Sequence, residues 1–221
     1  MDKFELASFL DLANHHPDST PGDIKRLCDN VIKYKFNAAF VNPCYITLAK
    51  DMAEEIRVGS VVAFPLGQES SDAKVVCALA AAKAGADELD VQMNVGWLRA
   101  GNNNEVLREM KTVVTAVKSF RPSVVVKIII EACLLTDSEV KKASELVLAS
   151  KADFIKTCSG MGPRGTNIRD IAMVKRAVGS KIRVKVAGGI DTLEEATTFI
   201  DLGADRIGTS KAVEIVEEMG K

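Results

Sequence analysis

Three charged residues stand inside apolar, β-branched segments, where side chains of this kind can do chemistry. They are Asp90 in Glu88–Met93, Lys156 in Phe154–Thr157 and Lys185 in Ile182–Ala187. A neutral lysine amine attacks a carbonyl to give an imine, and burial or a neighbouring cation lowers the lysine pKa enough to supply that neutral form. Lys156 is the candidate nucleophile and Lys185 the neighbouring cation. Asp90 is the candidate for moving a proton on the carbon next to the imine.

Glycine-rich segments lie at the ends of the last three predicted strands, and each precedes a helix. They are Lys156–Gly165, Gly188-Gly189 and Gly208–Lys211. Exposed backbone amide groups in such loops bind phosphate, and in α/β barrels this site commonly forms from the loops after the last strands. Ser210, Lys211 and Arg164 lie close by in sequence. The pattern therefore predicts a phosphate-binding site next to the two lysines.

The elements that must position these residues alternate between short strands and longer helices. The predicted strands are Phe9–Ala13, Ala38–Val41, Ser60–Phe64, Glu88–Met93, Val124–Ala132, Asp153–Cys158, Ile182–Ala187 and Arg206–Gly208. The predicted helices are Thr20–Tyr34, Ala73–Ala84, Asn104–Ser119, Asp137–Ser150, Ile168–Val178 and Thr192–Leu202. This alternation of about eight units predicts an α/β fold, a (β/α)8 TIM barrel. The alternative is an open doubly wound sheet, but no glycine-rich nucleotide turn follows either of the first two strands.

Helix signals and the lack of a linker support one domain over residues 1–221. Thr20 before Pro21, Thr136 and Thr192 are predicted to cap helices at their N-termini, and Gly179 stands at a predicted helix end. No Pro/Gly/Ser-rich segment or charge block divides the chain.

Several polar residues share one face of these strands, because side chains alternate with a period of two. The residues predicted to point into the barrel are Asp90, Gln92, Lys127, Glu131, Lys156, Arg183 and Lys185. Burying charge is costly unless it is paired or functional. For Lys127, Glu131 and Arg183 we expect a structural ion-pair network at the barrel bottom. Asp90, Lys156 and Lys185 are assigned to the carboxyl end of the strands, where barrel active sites form.

Composition excludes several classes of function. The 221 residues hold 29 Lys+Arg and 30 Asp+Glu, a net charge of −1, so we expect neither nucleic acid nor a membrane as partner. The first residues show no secretory signal pattern, which predicts a cytoplasmic protein. Five scattered cysteines disfavour disulfides and structural zinc, and His15 and His16 are expected to lie in a solvated turn.

Over nearly its whole length the chain resembles the 2-deoxyribose-5-phosphate aldolase family of class I aldolases. The matching stretches are Val41–Tyr45, Phe64–Gly67, Ala86–Asp90, Asn94–Gly96, Lys127–Glu131, Cys133–Asp137, Asp153–Thr157, Val184–Ile190 and Arg206–Ser210. The resemblance implies a Schiff-base lysine at Lys156, a second lysine at Lys185 and a proton-relay aspartate at Asp90. It also implies phosphate binding by Gly160, Gly188, Gly189 and Ser210.

The same resemblance implies a reaction. It is the reversible cleavage of 2-deoxy-D-ribose 5-phosphate to acetaldehyde and D-glyceraldehyde 3-phosphate, without metal or organic cofactor. The expected partners are the small phosphorylated sugar and acetaldehyde. We also expect a homo-oligomer, a dimer or a tetramer, since symmetric assemblies are common among soluble proteins.

The chain departs from the family pattern in four places. Leu12–Pro17 stands where the family usually reads His-Thr-Leu-Leu-Lys-Pro, and Phe40 stands where it has a cysteine. Lys211 follows Ser210, and the last residues hold no tyrosine. Two alternatives therefore remain: a related Schiff-base aldolase with another donor or acceptor, and a non-catalytic barrel that binds sugar phosphates.

Overall fold

The computed structural model describes residues 1–220, which form a closed barrel of eight parallel strands paired in sequence order. The strands are β1 (Leu10–Asn14), β2 (Ala38–Val41), β3 (Val58–Val62), β4 (Glu88–Gln92), β5 (Val125–Ile129), β6 (Phe154–Lys156), β7 (Arg183–Ala187) and β8 (Arg206–Thr209). The last strand pairs with the first through Leu10 and Ile207. This closure confirms the predicted (β/α)8 barrel and excludes the open doubly wound sheet.

In the described part of the chain, ten helices connect and surround the strands. They are α1 (Lys3–Phe9), α2 (Pro21–Tyr34), α3 (Ile46–Met52), α4 (Ser71–Lys83), α5 (Val95–Arg99), α6 (Asn103–Phe120), α7 (Asp137–Ser150), α8 (Ile168–Val178), α9 (Leu193–Asp201) and α10 (Ala212–Glu218). Short 3₁₀ turns occupy Pro43–Tyr45 and Ala132–Leu134. Within residues 1–220, none of the helices combines the length and the apolar character needed to cross a membrane.

The main hydrophobic core lies between the strands and the helices. Leu89, Val91, Ile128 and Val184 alternate with the polar strand residues and belong to one continuous cluster of buried apolar side chains. Their burial leaves the other face of each strand to point into the barrel.

The strand register brings the predicted site residues to one level of the barrel. Asp90 of β4 stands opposite Lys127 of β5, and Lys156 of β6 stands opposite Lys185 of β7. Ile129 of β5 is the other neighbour of Lys156. Four strands thereby present polar side chains to the same part of the barrel interior.

Helix caps follow the sequence signals. Capping boxes begin three of the helices, at Thr20, Thr136 and Thr192. In each, the threonine hydroxyl accepts a hydrogen bond from the amide of the third helical residue, and the acidic side chain of that residue accepts one from the threonine amide. Gly179 follows α8 with a positive φ of 58°. These predictions are confirmed.

The structure also differs from the sequence prediction. Helices α1, α3, α5 and α10 were not predicted; they span only five to seven residues, too few turns to show a clear periodicity. Strand β3 begins at Val58, two residues before the predicted start. The predicted strand Val124–Ala132 was too long, because β5 ends at Ile129 and Glu131 adopts a left-handed backbone conformation.

Candidate active site

Lys156, Lys185 and Asp90 meet in the barrel interior, all nearly or completely buried. The Nζ atom of Lys156 donates to Oδ2 of Asp90 at 2.9 Å. The Nζ atom of Lys185 donates to the same oxygen at 3.0 Å. One carboxylate oxygen thus holds the two ammonium groups side by side, as a neighbouring cation for Lys156 requires.

These residues belong to a larger buried charge cluster, formed by Asp11, Glu88, Asp90, Lys127, Lys156 and Lys185. Lys127 Nζ lies 3.2 Å from Oδ1 of Asp90 and also pairs with Glu88. Lys185 Nζ lies 2.7 Å from Oδ2 of Asp11. Three carboxylates therefore face three lysines, which offsets the cost of burying each charge.

Asp11 was missed by the sequence analysis. It stands between Leu10 and Leu12 in β1, so it interrupts an apolar strand in the same way as Asp90 interrupts β4. The same alternation argument could have found it.

Lys156 and Lys127 of the buried charge cluster differ in their readiness to lose a proton. Burial lowers the pKa of Lys156 and the cations Lys185 and Lys127 lower it further, whereas Asp90 opposes them. Burial also lowers the pKa of Lys127, but the carboxylates of Asp90 and Glu88 outweigh this effect and raise the Lys127 pKa above its ordinary value. Lys156 also lines the cavity described next, whereas Lys127 does not. Of these two lysines, Lys156 is therefore the better placed to act as a nucleophile.

Asp90 is ionised in this arrangement. Burial alone would raise its pKa, but Lys127, Lys156 and Lys185 together hold the pKa well below its ordinary value. Its charge therefore depends on how many of the three cations remain in place.

A cavity of about 280 Å³ opens above Lys156 and Lys185. Residues at or just beyond the carboxyl ends of β1, β6, β7 and β8 line it, among them His15, Gly160, Gly188, Gly189 and Ser210. All four glycine and serine residues predicted to bind phosphate therefore share one cavity with both lysines. Asp90 lies beneath it.

The glycine loops present free backbone donors to this cavity. Gly188 and Gly189 have φ values of 96° and 68°, a region that favours glycine. In the part of the chain that the structure describes, the amides of Gly160, Gly188, Gly189 and Ser210 donate to no protein acceptor. Such a group of amides can bind an oxyanion.

Arg164 and Lys211 are held elsewhere. Arg164 makes a two-pronged contact with Asp170, with Nη2 donating to Oδ1 at 2.9 Å. Lys211 Nζ lies 3.1 Å from Oε1 of Glu214. Neither residue lines the cavity.

Phe40, where the related family has cysteine, fills the barrel interior beside the buried charge cluster. Lys185 Nζ lies 3.5 Å from the centre of its ring and Lys127 Nζ lies 4.7 Å from it. The ring fits because its strand partner is Gly59, where a Cβ atom would approach ring carbons to within 2.3 Å, too close to be tolerated. Phe40 and Gly59 thus form a matched pair that supports Lys185.

The prediction that both histidines lie in a solvated turn was wrong for His15. His16 is exposed, but His15 is only partly exposed and packs against Phe64, with 5.3 Å between ring centres. Its two ring nitrogens are buried and have no hydrogen-bond partner within residues 1–220. Burial, then the Lys156 cation, lower the pKa of His15 to about 3, so the ring is neutral at pH 7. Its position directly after β1 is the signal that could have revealed it.

The expected ion-pair network at the barrel bottom is correct only for Lys127. Strand β5 ends at Ile129, so Glu131 lies beyond its carboxyl end and not at the barrel bottom. The Glu131 carboxylate accepts a hydrogen bond from the amide of Ser159 at 3.1 Å. Arg183 is exposed and packs against the ring of Phe154 at 4.1 Å, without an ion pair among the described residues. Gln92 is buried and lies within 3.4 Å of Glu131.

One further group contains potential metal ligands. Glu131, Cys133 and Cys158 offer ligand atoms that lie within 4.8 Å of one another. Burial raises the pKa of both thiols, and the Glu131 carboxylate already accepts hydrogen bonds from the Ser159 amide. These features favour a protonated, hydrogen-bonded cluster.

Comparisons with known proteins agree with this geometry. A family model described as DeoC/LacD family aldolase matches residues 7–215. Deoxyribose-phosphate aldolase of Thermoanaerobacter sp. strain X514 is 39% identical, over 98% of this chain and 97% of its own length. The enzyme of the same name from Natranaerobius thermophilus is 42% identical, over 96% of both chains.

Solved structures give the same result. The tetrameric deoxyribose phosphate aldolase of Aeropyrum pernix superposes with a TM-score of 0.92 and 31% identity, covering 100% of this chain and 93% of its own. The predicted enzyme class, a lyase of the aldolase type, is thereby confirmed. Fold, sequence similarity and the match over residues 7–215 together show that the chain belongs to the DeoC/LacD family of aldolases.

Proposed function

We propose that this aldolase reversibly cleaves 2-deoxy-D-ribose 5-phosphate to acetaldehyde and D-glyceraldehyde 3-phosphate through an imine on Lys156. One observation carries the proposal: a buried lysine with a lowered pKa shares a cavity with a group of free glycine and serine amides. A substrate with an aldehyde at one end and a phosphate at the other fits this arrangement.

The reaction follows from the chemistry of an imine. The neutral amine of Lys156 attacks C1 of the open-chain sugar, and loss of water leaves a protonated imine. The C2–C3 bond then breaks: its electron pair moves toward the imine nitrogen, and the C3 hydroxyl loses its proton. D-Glyceraldehyde 3-phosphate leaves, and an enamine remains on Lys156. A proton returns to C2, and water hydrolyses the resulting imine to acetaldehyde and free lysine.

Asp90 is suited to the proton transfers because its basicity changes during this cycle. The protonated imine is a cation, like the protonated form of Lys156, whereas the enamine nitrogen is neutral. Asp90 therefore loses one of its three cationic neighbours when the enamine forms, and its pKa rises at that step. We propose that it moves protons directly or through one water molecule.

We propose that His15 binds a sugar hydroxyl between the two ends of the substrate. Replacing it by leucine should lower kcat/KM for addition of acetaldehyde to D-glyceraldehyde 3-phosphate by about tenfold, the scale of one lost hydrogen bond. The matched substrate is 3-phosphooxypropanal, which lacks the 2-hydroxyl group, and its kcat/KM should change little. An equal loss with both acceptors would contradict the proposed contact.

The phosphate site is tested best at Ser210. A bulky substitution in the glycine loops, such as Gly189→Val, would strain a backbone with positive φ and could affect folding as well as binding. Ser210 is exposed and has no such constraint. Ser210→Asp places a negative charge against the phosphate and should raise KM for 2-deoxyribose 5-phosphate about tenfold to a hundredfold. Ser210→Asn is the neutral control, and unphosphorylated 2-deoxyribose should be affected little by either change. A similar loss with both sugars would remove Ser210 from the phosphate site.

The pH dependence tests the role of Lys185. The rate should fall on the acid side as Lys156 becomes protonated. In Lys185→Leu, loss of the neighbouring cation raises the pKa of Lys156, so the acid limb of kcat/KM should move to higher pH. Lys185→Arg keeps the charge and should leave the limb in place.

The Lys185 experiment needs a control for folding, because Lys185→Leu leaves the Asp11 carboxylate without its ion pair. Asp11→Asn/Lys185→Leu restores the balance of charge. If the limb stays at the wild-type position in a folded double variant, Lys185 has a structural role only.

Direct product analysis tests the reaction itself. Incubation with 2-deoxyribose 5-phosphate should release acetaldehyde and D-glyceraldehyde 3-phosphate in equal amounts. Activity in the reverse direction with another aldehyde or ketone donor, but not with acetaldehyde, would support the related aldolase with a different donor. No turnover but saturable binding would support a non-catalytic barrel.

Assembly and location extend the proposal. We propose a cytoplasmic protein that forms a homo-oligomer, and the tetrameric relative of Aeropyrum pernix supports the assembly. Light scattering of the purified chain would show its mass directly.

A further inference from the structure

The end of the barrel opposite the candidate active site also holds a cavity, of about 350 Å³. Its lining comes from the amino ends of six neighbouring strands and from the residues just before them. Three arginines reach it: Arg57 before β3, Arg183 at the start of β7 and Arg206 at the start of β8. The ring of Phe154, which is almost completely buried, lies 4.1 Å from the Arg183 guanidinium.

None of these three arginines is neutralised by an ion pair within residues 1–220. Arg57 donates from Nη1 to the Asn37 side chain at 2.6 Å, and Arg206 donates from Nη1 to the backbone oxygen of Asp205 at 3.0 Å. The Nε atom of Arg206 is buried and has no hydrogen-bond partner in the described chain. Within the described chain, most of the donors of the three guanidinium groups therefore have no protein acceptor.

The two carboxylates that line the same cavity are already paired. Glu88 binds Lys127 of the buried charge cluster. Asp87 accepts from Lys50 at 3.1 Å and from the amide of Val58 at 3.0 Å. The guanidinium groups are therefore the uncompensated charges in this cavity.

We propose that this cavity is a second, separate oxyanion site that binds a phosphate group, either free or carried by a small metabolite. A guanidinium can bind two phosphate oxygens with two parallel hydrogen bonds, and each oxygen of a phosphate can accept from more than one arginine. The Phe154 ring holds the Arg183 side chain by a cation–π contact and so preorganises one of the three. This proposal does not rest on the proposed function, because none of the residues that line this cavity also lines the cavity that contains Lys156.

The test must separate this site from the phosphate site near Lys156. Amide chemical shifts of ¹⁵N-labelled protein do so during titration with inorganic phosphate. The amides of Ser123 and Val125 report on the new cavity, which they line, and those of Gly188 and Gly189 report on the other. Saturable shifts of Ser123 and Val125 are expected in the wild-type protein.

The variant Arg183→Gln/Arg206→Gln removes two of the three guanidiniums. It should weaken binding at Ser123 and Val125 about tenfold or more, while the shifts of Gly188 and Gly189 are retained. The control Lys25→Gln/Arg176→Gln removes the same charge from exposed positions on α2 and α8 and should leave both sets of shifts unchanged.

A second titration with glycerol 3-phosphate identifies the source of the phosphate group. Tighter binding than inorganic phosphate at Ser123 and Val125 assigns the site to a phosphorylated metabolite, and equal binding assigns it to free phosphate. Absence of saturable shifts at Ser123 and Val125, or shifts that survive unchanged in Arg183→Gln/Arg206→Gln, would overturn the proposal. Neither result would affect the proposed function, which depends on the opposite end of the barrel.

Discussion

Lys156→Arg should abolish cleavage of 2-deoxyribose 5-phosphate, with kcat lower by a factor on the order of 10⁴ or more, the scale of losing a covalent nucleophile. Arginine keeps the positive charge next to Asp90 but does not supply a neutral amine near pH 7. The loss should therefore be in kcat and not in the stability of the fold. Initial rates at saturating substrate and circular dichroism measure the two effects separately.

Lys83→Arg is the matched control for this experiment. It makes the same replacement at an exposed position near the end of α4, and its rate should equal that of the wild-type protein. Lys156→Met removes both charge and amine and should be inactive as well. Activity of Lys156→Arg within tenfold of wild type would contradict the assignment of Lys156 as the nucleophile.

Asp90→Asn should have the second largest effect, on stability as well as on catalysis. Asp90 contacts Lys127, Lys156 and Lys185, so removing its charge leaves an excess of buried cations. We expect the free energy of unfolding to fall by about 3–5 kcal/mol, the usual cost of breaking a buried ion pair. Denaturant unfolding measures this change, and Asp29→Asn, at an exposed position in α2, should leave stability almost unchanged.

The catalytic part of this prediction concerns proton transfer. In D₂O, exchange of the acetaldehyde methyl protons should slow by about 10²- to 10⁴-fold in Asp90→Asn. Imine formation on Lys156 should remain detectable by reduction with borohydride. Exchange at the wild-type rate in a folded variant would remove Asp90 from the proton relay.

The barrel and the lysine pair could be predicted from sequence because both depend on short-range periodicity. Polar residues at every second position of β4 and β7 place Asp90 and Lys185 inside the barrel whichever helices surround it. The same argument failed for Glu131, because it assumes that the strand continues, whereas β5 ends at Ile129. Whether a residue stands at an odd or an even position no longer predicts the direction of its side chain once the backbone leaves the extended conformation.

The parts that could not be predicted depend on contacts between distant segments. His15 lies in the cavity because the chain after β1 packs it against Phe64, which follows β3. The pairing of Phe40 with Gly59 depends on the register between β2 and β3. Within residues 1–220, the absence of ion pairs at Arg183 and Arg206 likewise follows from the three-dimensional arrangement, not from any local pattern.

Borohydride reduction in the presence of acetaldehyde, followed by peptide mass mapping, tests the central claim most directly. Reduction traps the imine as a stable secondary amine, so the modified lysine carries an ethyl group. We expect this group on Lys156 alone, and we expect it to be absent without acetaldehyde. An ethyl group on Lys185 or Lys127 with Lys156 unmodified, or no modification of a fully active protein, would contradict the account.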